Sequence, residues 1–213
     1  MSAGTALIII DMQRDFLDPG GYIAQSGVDV GILRAIVPQV TSLLHCARRH
    51  GIAVIHTREG HRPDLSDLST VKRHRAERAG APIGSLGPLG RLLVRGERGH
   101  AIIEELAPVE GEPVIDKPGF GAFYATDLEL ILRARGIGSL ALAGVTTDIC
   151  VHSTLREAID RGFDCVTAGD ACAAGVADIH DAMLACIAGE GGILGRVAST
   201  AELIKTWSGG GAL

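Results

Sequence analysis

The feature that most constrains the fold is a set of short, almost unbroken apolar runs, each followed by a stretch of helical spacing. The runs are Thr5 to Asp11 (TALIIID), Ile52 to Thr57 (IAVIHT), Ser139 to Val145 (SLALAGV) and Asp164 to Gly169. A strand that is apolar at successive positions buries both its faces, which happens in a parallel sheet covered by helices on both sides. Between the runs, Val30 to His50 carries Ile32, Ile36, Val40, Leu43, Leu44 and Ala47 at helical intervals and stops at Gly51. Pro38 inside it marks a kink or a later true start. Helices are also predicted over Thr126 to Gly136, with Thr126 and Glu129 as a capping box, over Asp148 to Gly162, and over Ala177 to Ala188. Gly192 to Ser199 reads as a last short strand. The expected class is therefore α/β, with a mostly parallel sheet.

One stretch breaks the rhythm. Arg58 to Glu112 has little strand character, and Gly99 to Leu106 within it predicts a short helix. Residues 1–213 are expected to form one domain, with 58–112 as a long insertion acting as a lid or an oligomer contact. Its basic segment Lys72 to Arg78 (KRHRAER) reads as solvated surface. A formal net charge of −5 argues against nucleic-acid partners and against a basic membrane-surface module. No signal peptide is visible and no 18 apolar residues run together, so the expectation is a cytoplasmic chain with reduced thiols.

In a parallel open sheet, ligands sit beyond the carboxyl ends of the strands. Asp11 closes the first run, Lys117 follows the short apolar stretch Pro113 to Ile115, and Cys150 comes just after Val145. An acid, a cation and a thiol converging on one edge are the parts of thiol nucleophilic catalysis. The thiolate is the nucleophile, and a helix start and an ammonium group both favour it. A carboxylate can take the thiol proton and return it to a leaving amine. Backbone N–H groups around Thr146 and Cys150 could hold an oxyanion. Cys150 taken alone reads equally well as a structural residue, and Arg58, Glu59 and Asp170 also end strands. The other four thiols, Cys46, Cys165, Cys172 and Cys186, are expected to be core filler.

Three separated motifs sharpen this. Asp11-Met12-Gln13-x-Asp15-Phe16, Asp116-Lys117-Pro118-x-Phe120-x-Ala122-Phe123 and Gly144-Val145-Thr146-Thr147-Asp148-Ile149-Cys150-Val151 resemble the isochorismatase-like cysteine hydrolases, in the right order and across nearly the whole chain. The resemblance implies a three-layer, Rossmann-like α/β/α sandwich with a six-stranded, mostly parallel sheet. It implies an Asp11–Lys117–Cys150 triad, an oxyanion hole from Thr146 and Cys150, and a cis peptide at Val145–Thr146. It also implies a homo-oligomer, a tetramer being favoured. Non-catalytic members typically lack the cysteine, so a chain that keeps all three residues is expected to be an active cysteine amidohydrolase working through an acyl-thioester.

Thr57-Arg58-Glu59-Gly60-His61-Arg62-Pro63-Asp64 resembles the branch that cleaves ureido compounds, notably biuret and triuret hydrolases. On that reading the substrate is a small ureide that releases ammonia. Arg58, Glu59 and His61 would line the pocket, and Phe16 and Phe123 would wall it. Glu190, in Gly189-Glu190-Gly191-Gly192, would accept hydrogen bonds from substrate NH₂ groups, a slight lean to triuret. Ureidoacrylate or N-carbamoylsarcosine amidohydrolase and nicotinamidase are the rival activities, and a ligand-binding or partner subunit on the same fold is the non-enzymatic one. Nicotinamidases bind a metal through an Asp-x-His segment. Glu59, His61 and the later His74 match that spacing poorly, so neither metal nor cofactor is expected. The isochorismatase reaction itself lacks the thiol nucleophile in its usual form, so Cys150 argues against it. The absence of a GxGxxG after the first run argues against a dinucleotide-binding protein.

Overall fold

The computed structural model describes residues 4–211 and 213. Strand β1 (Gly4–Ile10) leads through short helices α1 (Arg14–Leu17), α2 (Tyr22–Gln25) and α3 (Val30–Arg34) to α4 (Val37–Arg49) and β2 (Ala53–Glu59). The insertion follows, with α5 (Thr70–Arg78), a small hairpin of β3 (Leu86–Gly87) and β4 (Gly90–Arg91), and a 3-10 turn at Glu104–Leu106. The chain continues with β5 (Val114–Lys117), α6 (Leu128–Ala134), β6 (Ile137–Val145), a π-helical turn (Thr147–Val151) and α7 (His152–Asp160). It ends with β7 (Asp164–Ala173), α8 (Ala177–Ala188), β8 (Arg196–Ala198) and α9 (Thr200–Ser208).

Six strands form one sheet in the order β5-β2-β1-β6-β7-β8, and each of its ladders is parallel. The two-residue period of a strand explains the three layers. Leu7 and Ile9 of β1, with Ala141, Ala143 and Val145 of β6, pack against α4 and α9 through Val40, Leu43, Leu44, Leu203 and Trp207. Ala6, Ile8 and Ile10, with Leu140 and Leu142, face the opposite way toward Leu128, Leu132, Leu155 and Ala158 of α6 and α7. Apolar residues at every position of the runs are therefore needed by two cores, one on each side.

Pro38 acts as a start signal. It occupies the first turn of α4, where a missing N–H costs nothing, and the apolar Val30–Arg49 stretch divides into α3 and α4. That stretch is long and apolar enough by composition to cross a membrane, yet Leu33, Val40, Leu43, Leu44 and Ala47 are spent on the core. The Thr126–Glu129 capping box does not form. The Thr126 hydroxyl donates to the Ala122 carbonyl (2.6 Å), and Asp127 precedes α6 without a side-chain cap bond. A box of that kind instead opens α9, where Ser199 and Glu202 bond reciprocally. β7 runs four residues beyond Gly169, so Cys172 lies within a strand and not past one.

The insertion folds over the carboxyl edge of β1 and β2. Arg14 and Asp15 donate their N–H groups to the Ala101 and Gly99 carbonyls (2.9 and 2.7 Å), and Ile103 donates to Met12 (3.0 Å). The buried Asp15 carboxylate accepts from the Leu93 N–H at 3.0 Å.

Candidate active site

Four strand ends supply the site. Asp11 follows β1 with φ 52°, a left-handed conformation that Asp tolerates better than most residues and that costs about 1–3 kcal/mol. Its backbone N–H bonds to Thr57, whose hydroxyl in turn donates to Asp11 Oδ1 at 2.6 Å. Asp11 Oδ2 faces the Lys117 ammonium at 2.7 Å, and both side chains are fully buried. Lys117 also donates to the Gly119 carbonyl (3.1 Å) and stands 3.6 Å from Glu59 Oε2.

Glu59 ends β2 and is 3 % exposed. Gln13 fixes it from both sides, its amide donating to the Glu59 carbonyl (3.0 Å) and accepting from the Glu59 N–H (2.7 Å). Its carboxylate accepts from the Cys150 thiol at 3.3 Å and from Lys72 of α5 at 2.6 Å. The ligand atoms of Asp11, Glu59 and Cys150 lie within 4.8 Å of one another. Such a set could hold a thiophilic cation, but the Lys117 ammonium already supplies positive charge between the two carboxylates.

Cys150 lies in the π-helical turn between β6 and α7. The turn is reached through a cis peptide at Val145–Thr146 and through Gly144 at φ 123°, where a Cβ would stand 2.1 Å from the Ile10 carbonyl oxygen. Glycine alone lets β6 approach β1 so closely there. The Thr146 carbonyl accepts from Ile149 and Val151 (3.2 and 3.1 Å), while the Thr146 N–H meets no backbone carbonyl among the described residues. Thr154 ties the thiol turn to the loop after Lys117, donating to the Cys150 carbonyl (2.7 Å) and accepting from the Ala122 N–H (3.1 Å).

The two carboxyl groups titrate in opposite directions. Burial pushes Asp11 above the usual carboxylate range, more strongly than the paired Lys117 pulls it down. Burial also works against Glu59, but Lys72 and Lys117 together outweigh it and hold that group below the range. Burial raises the Cys150 thiol well above its ordinary value, with Lys117 as the opposing influence. Lys117 is buried too, yet Asp11, Cys150 and Glu59 keep it firmly protonated.

Asp11, Glu59, Lys117, Cys150 and the Val145–Thr146 peptide thus meet at one edge. Five other expected site residues do not join them. Arg58 precedes Glu59 on β2 and so points to the other face, where it pairs with Asp116 (2.7 and 3.1 Å). His61 is buried and held by Asp67 at 3.1 Å. Phe16 is core, edge-on to Tyr22 at 6.2 Å. Phe123 packs on Phe163 at 5.6 Å, beneath Arg161. Glu190 is exposed at the opposite edge of the sheet, because α8 carries the chain the full depth of the domain before the turn. It shares a cavity with Arg156 and Asp160 at the far end of α7. Cys186, expected in the core, is also exposed there.

Residues that sequence reasoning passed over take their place. Lys72 reaches in from the charged helix. Tyr22 is pushed up to about 12 by burial first, then by the charges of Glu59 and Cys150. Two recesses flank the cluster. One of about 200 Å³ is lined by Lys72, Arg75, Phe120 and Tyr124, with Asp67 as its acid. The other, of about 170 Å³, is walled by Thr146, Asp148 and apolar side chains including Ile23, Ile149 and Ile179.

The isochorismatase domain profile matches residues 5–202. The chain is 33% identical over 159 residues to ureidoacrylate amidohydrolase RutB of Yersinia enterocolitica, covering 73% of this chain and 69% of that protein. It is 31% identical over 189 residues to ureidoacrylate amidohydrolase RutB of Methylobacterium radiotolerans, covering 87% and 73%. Among solved structures, a cysteine hydrolase from Pseudomonas syringae pv. phaseolicola superposes with a TM-score of 0.82 at 29% identity, over 96% of this chain and 92% of that one. An N-carbamoylsarcosine amidase from Thermoplasma acidophilum shares the fold, with a TM-score of 0.71 at 24% identity over 92% of this chain and 96% of that one.

Proposed function

We propose that this chain, which belongs to the isochorismatase domain family, is a cysteine-dependent amidohydrolase of small ureido acids, ureidoacrylate being the leading substrate. The observation that carries the reading is the meeting of a thiol, two carboxylates of opposite tendency and a buried ammonium at one strand edge. Paired groups pushed apart in pKa divide acid–base labour. Asp11, the raised one, exchanges the proton. Glu59, the lowered one, stays ionised and orients the thiol.

In the proposed cycle Asp11 takes the Cys150 proton, and Lys117 offsets the negative charge that forms. The thiolate attacks the ureido carbonyl, whose oxygen is held by the N–H groups of Thr146 and Cys150. The C–N bond breaks, the departing amine takes the proton from Asp11, and a carbamoyl thioester remains. Water hydrolyses it to carbamate and regenerates the thiol. Carbamate then breaks down to carbon dioxide and ammonia, so ammonia appears whichever nitrogen leaves first.

Two things favour a ureido acid over biuret or triuret. The similar proteins are named for ureidoacrylate. The 200 Å³ recess beside the loop after Lys117 carries Arg75, whose guanidinium is suited to a substrate carboxylate, among aromatic walls suited to a flat chain. The lean to triuret rested on Glu190, which stands at the other edge. Ammonia release measured over ureidoacrylate, N-carbamoylsarcosine, biuret, triuret and nicotinamide tests the reading. Ureidoacrylate is expected to give the highest kcat/KM by at least about tenfold, since the neutral ureides leave the carboxylate contacts unmade. A preference for biuret or triuret overturns the ureido-acid reading, and turnover of nicotinamide alone overturns the ureide class.

A further inference from the structure

Helix α5 is the most highly charged helix of the chain, and by composition its side chains belong in water. Its ammonium group turns inward instead. The Lys72 side chain is 14% exposed, and its ammonium donates to Glu59 Oε1 at 2.6 Å and to the Pro118 carbonyl at 2.7 Å. It also lies 5.0 Å from the centre of the Phe120 ring, a cation–π distance. Glu59 passes this contact on, since its other oxygen accepts from the Cys150 thiol. The insertion is therefore coupled to the nucleophile through one lysine and one glutamate.

We propose that Lys72 is a positioning residue for the thiol centre, holding Glu59 turned toward Cys150 and balancing the cluster at two carboxylates against two ammonium groups. The inference rests on the reading of Cys150 as nucleophile. The groups facing Glu59 are Lys72 from α5, Lys117 from β5, Asp11 from the end of β1 and Cys150 from the π turn, with Tyr22 and His61 farther out. With Lys72 in place, losing the thiol proton to solvent takes the cluster from neutral to one negative charge. Without it, the cluster has one positive charge fewer, so with Glu59 ionised beside Lys117 at 3.6 Å the same step starts from a net negative cluster and becomes harder.

The test is site-resolved alkylation by iodoacetamide, followed by peptide mass spectrometry across pH, with thermal unfolding to check the fold. In K72M, Cys150 alkylation at neutral pH is expected to slow about tenfold, and the pH profile to move up by about one unit. K72Q keeps a donor for Glu59 and Pro118 while removing the charge, so it is expected to show the same upward move even if K72M folds poorly. K72R restores the profile. R78A, which removes an exposed charge from the same helix, leaves it unchanged. Because Lys72 acts through Glu59, adding K72M to E59Q is expected to shift the profile less than adding it to the native chain. A folded K72M or K72Q with the native Cys150 profile overturns the proposal while leaving Cys150 as nucleophile. A native chain in which Cys150 is labelled at no pH overturns both. Fully additive effects of E59Q and K72M overturn the route through Glu59.

Discussion

Two ionic groups flank strand β2, one half-buried and one fully buried, and they are built in opposite ways. Toward its start, Glu112 receives two of the three guanidinium nitrogens of Arg48 (2.7 and 2.9 Å), His56 Nε2 at 3.0 Å and the Val109 N–H at 3.1 Å. Burial opposes ionisation there, but Arg48, Val109 and His56 overcome it and bring the carboxyl down to about 2. Toward the end of the strand, Asp11 Oδ2 faces Lys117 without a well-aligned hydrogen bond, and its carboxyl is held high. A carboxylate whose acceptor sites are filled has no reason to exchange a proton. One left partly unsatisfied beside a thiol does. The contrast between structural and chemical ion clusters lies in satisfaction, more than in which residues are present.

The largest expected effect falls on the thiol side. C150A is expected to lower kcat for ureide hydrolysis by at least about 10³-fold with the fold intact. Near-native ammonia release from that variant moves the chemistry away from the cluster. Next comes D11N, expected to cost about 10²–10⁴-fold in kcat/KM. Asp11 must be ionised to accept a proton, and its pKa is raised, so native activity is expected to fall with acidification at a pH above the ordinary aspartate value of 3.8. D11N should lose that limb from its residual pH profile, and a native-like limb in D11N would assign it to another group.

E112Q probes the other cluster. It is expected to leave kcat within about twofold while costing about 1–3 kcal/mol of stability at neutral pH. The sign follows from the lowered carboxyl: its contribution is present above pH 4.5 and is lost as the pH falls toward about 2. Melting temperatures of E112Q and native protein should therefore converge in acid, and a constant gap across that range breaks the assignment. The smallest effect is expected from C172A. Cys172 is buried in β7 away from any ammonium, with its thiol pushed up to about 12 by burial. Its replacement should cost about 1 kcal/mol or less, judged by the melting temperature, and leave turnover unchanged.

The parts of this molecule that could be read from sequence are those fixed by short-range patterns. Continuous apolar runs gave the strands, and Asp11, Lys117 and Cys150 stood among several candidates that a parallel sheet collects at one edge, the three family-like motifs singling them out. Residues whose meaning depends on distant partners were misread. Lys72 looked solvated because its neighbours are charged, while its partner Glu59 lies 13 positions away across a loop. Glu190 looked like a site residue because its glycines marked a turn, and a turn motif does not say at which end of the sheet the turn lies. Helix α9 was passed over although Ser199 and Glu202, followed by Leu203 and Trp207, carry both its start signal and its buried face.

Gln13 has one further consequence. Its amide grips the Glu59 peptide at both polar atoms, so the spacing between the end of β1 and the end of β2 is set by a short strut inside the central sheet. The same amide donates to the His100 carbonyl of the cover at 3.2 Å, and backbone contacts fasten the cover to residues 12–15. One side chain thus keys the two carboxylates and their lid to a common frame, so a change at Gln13 would loosen both at once.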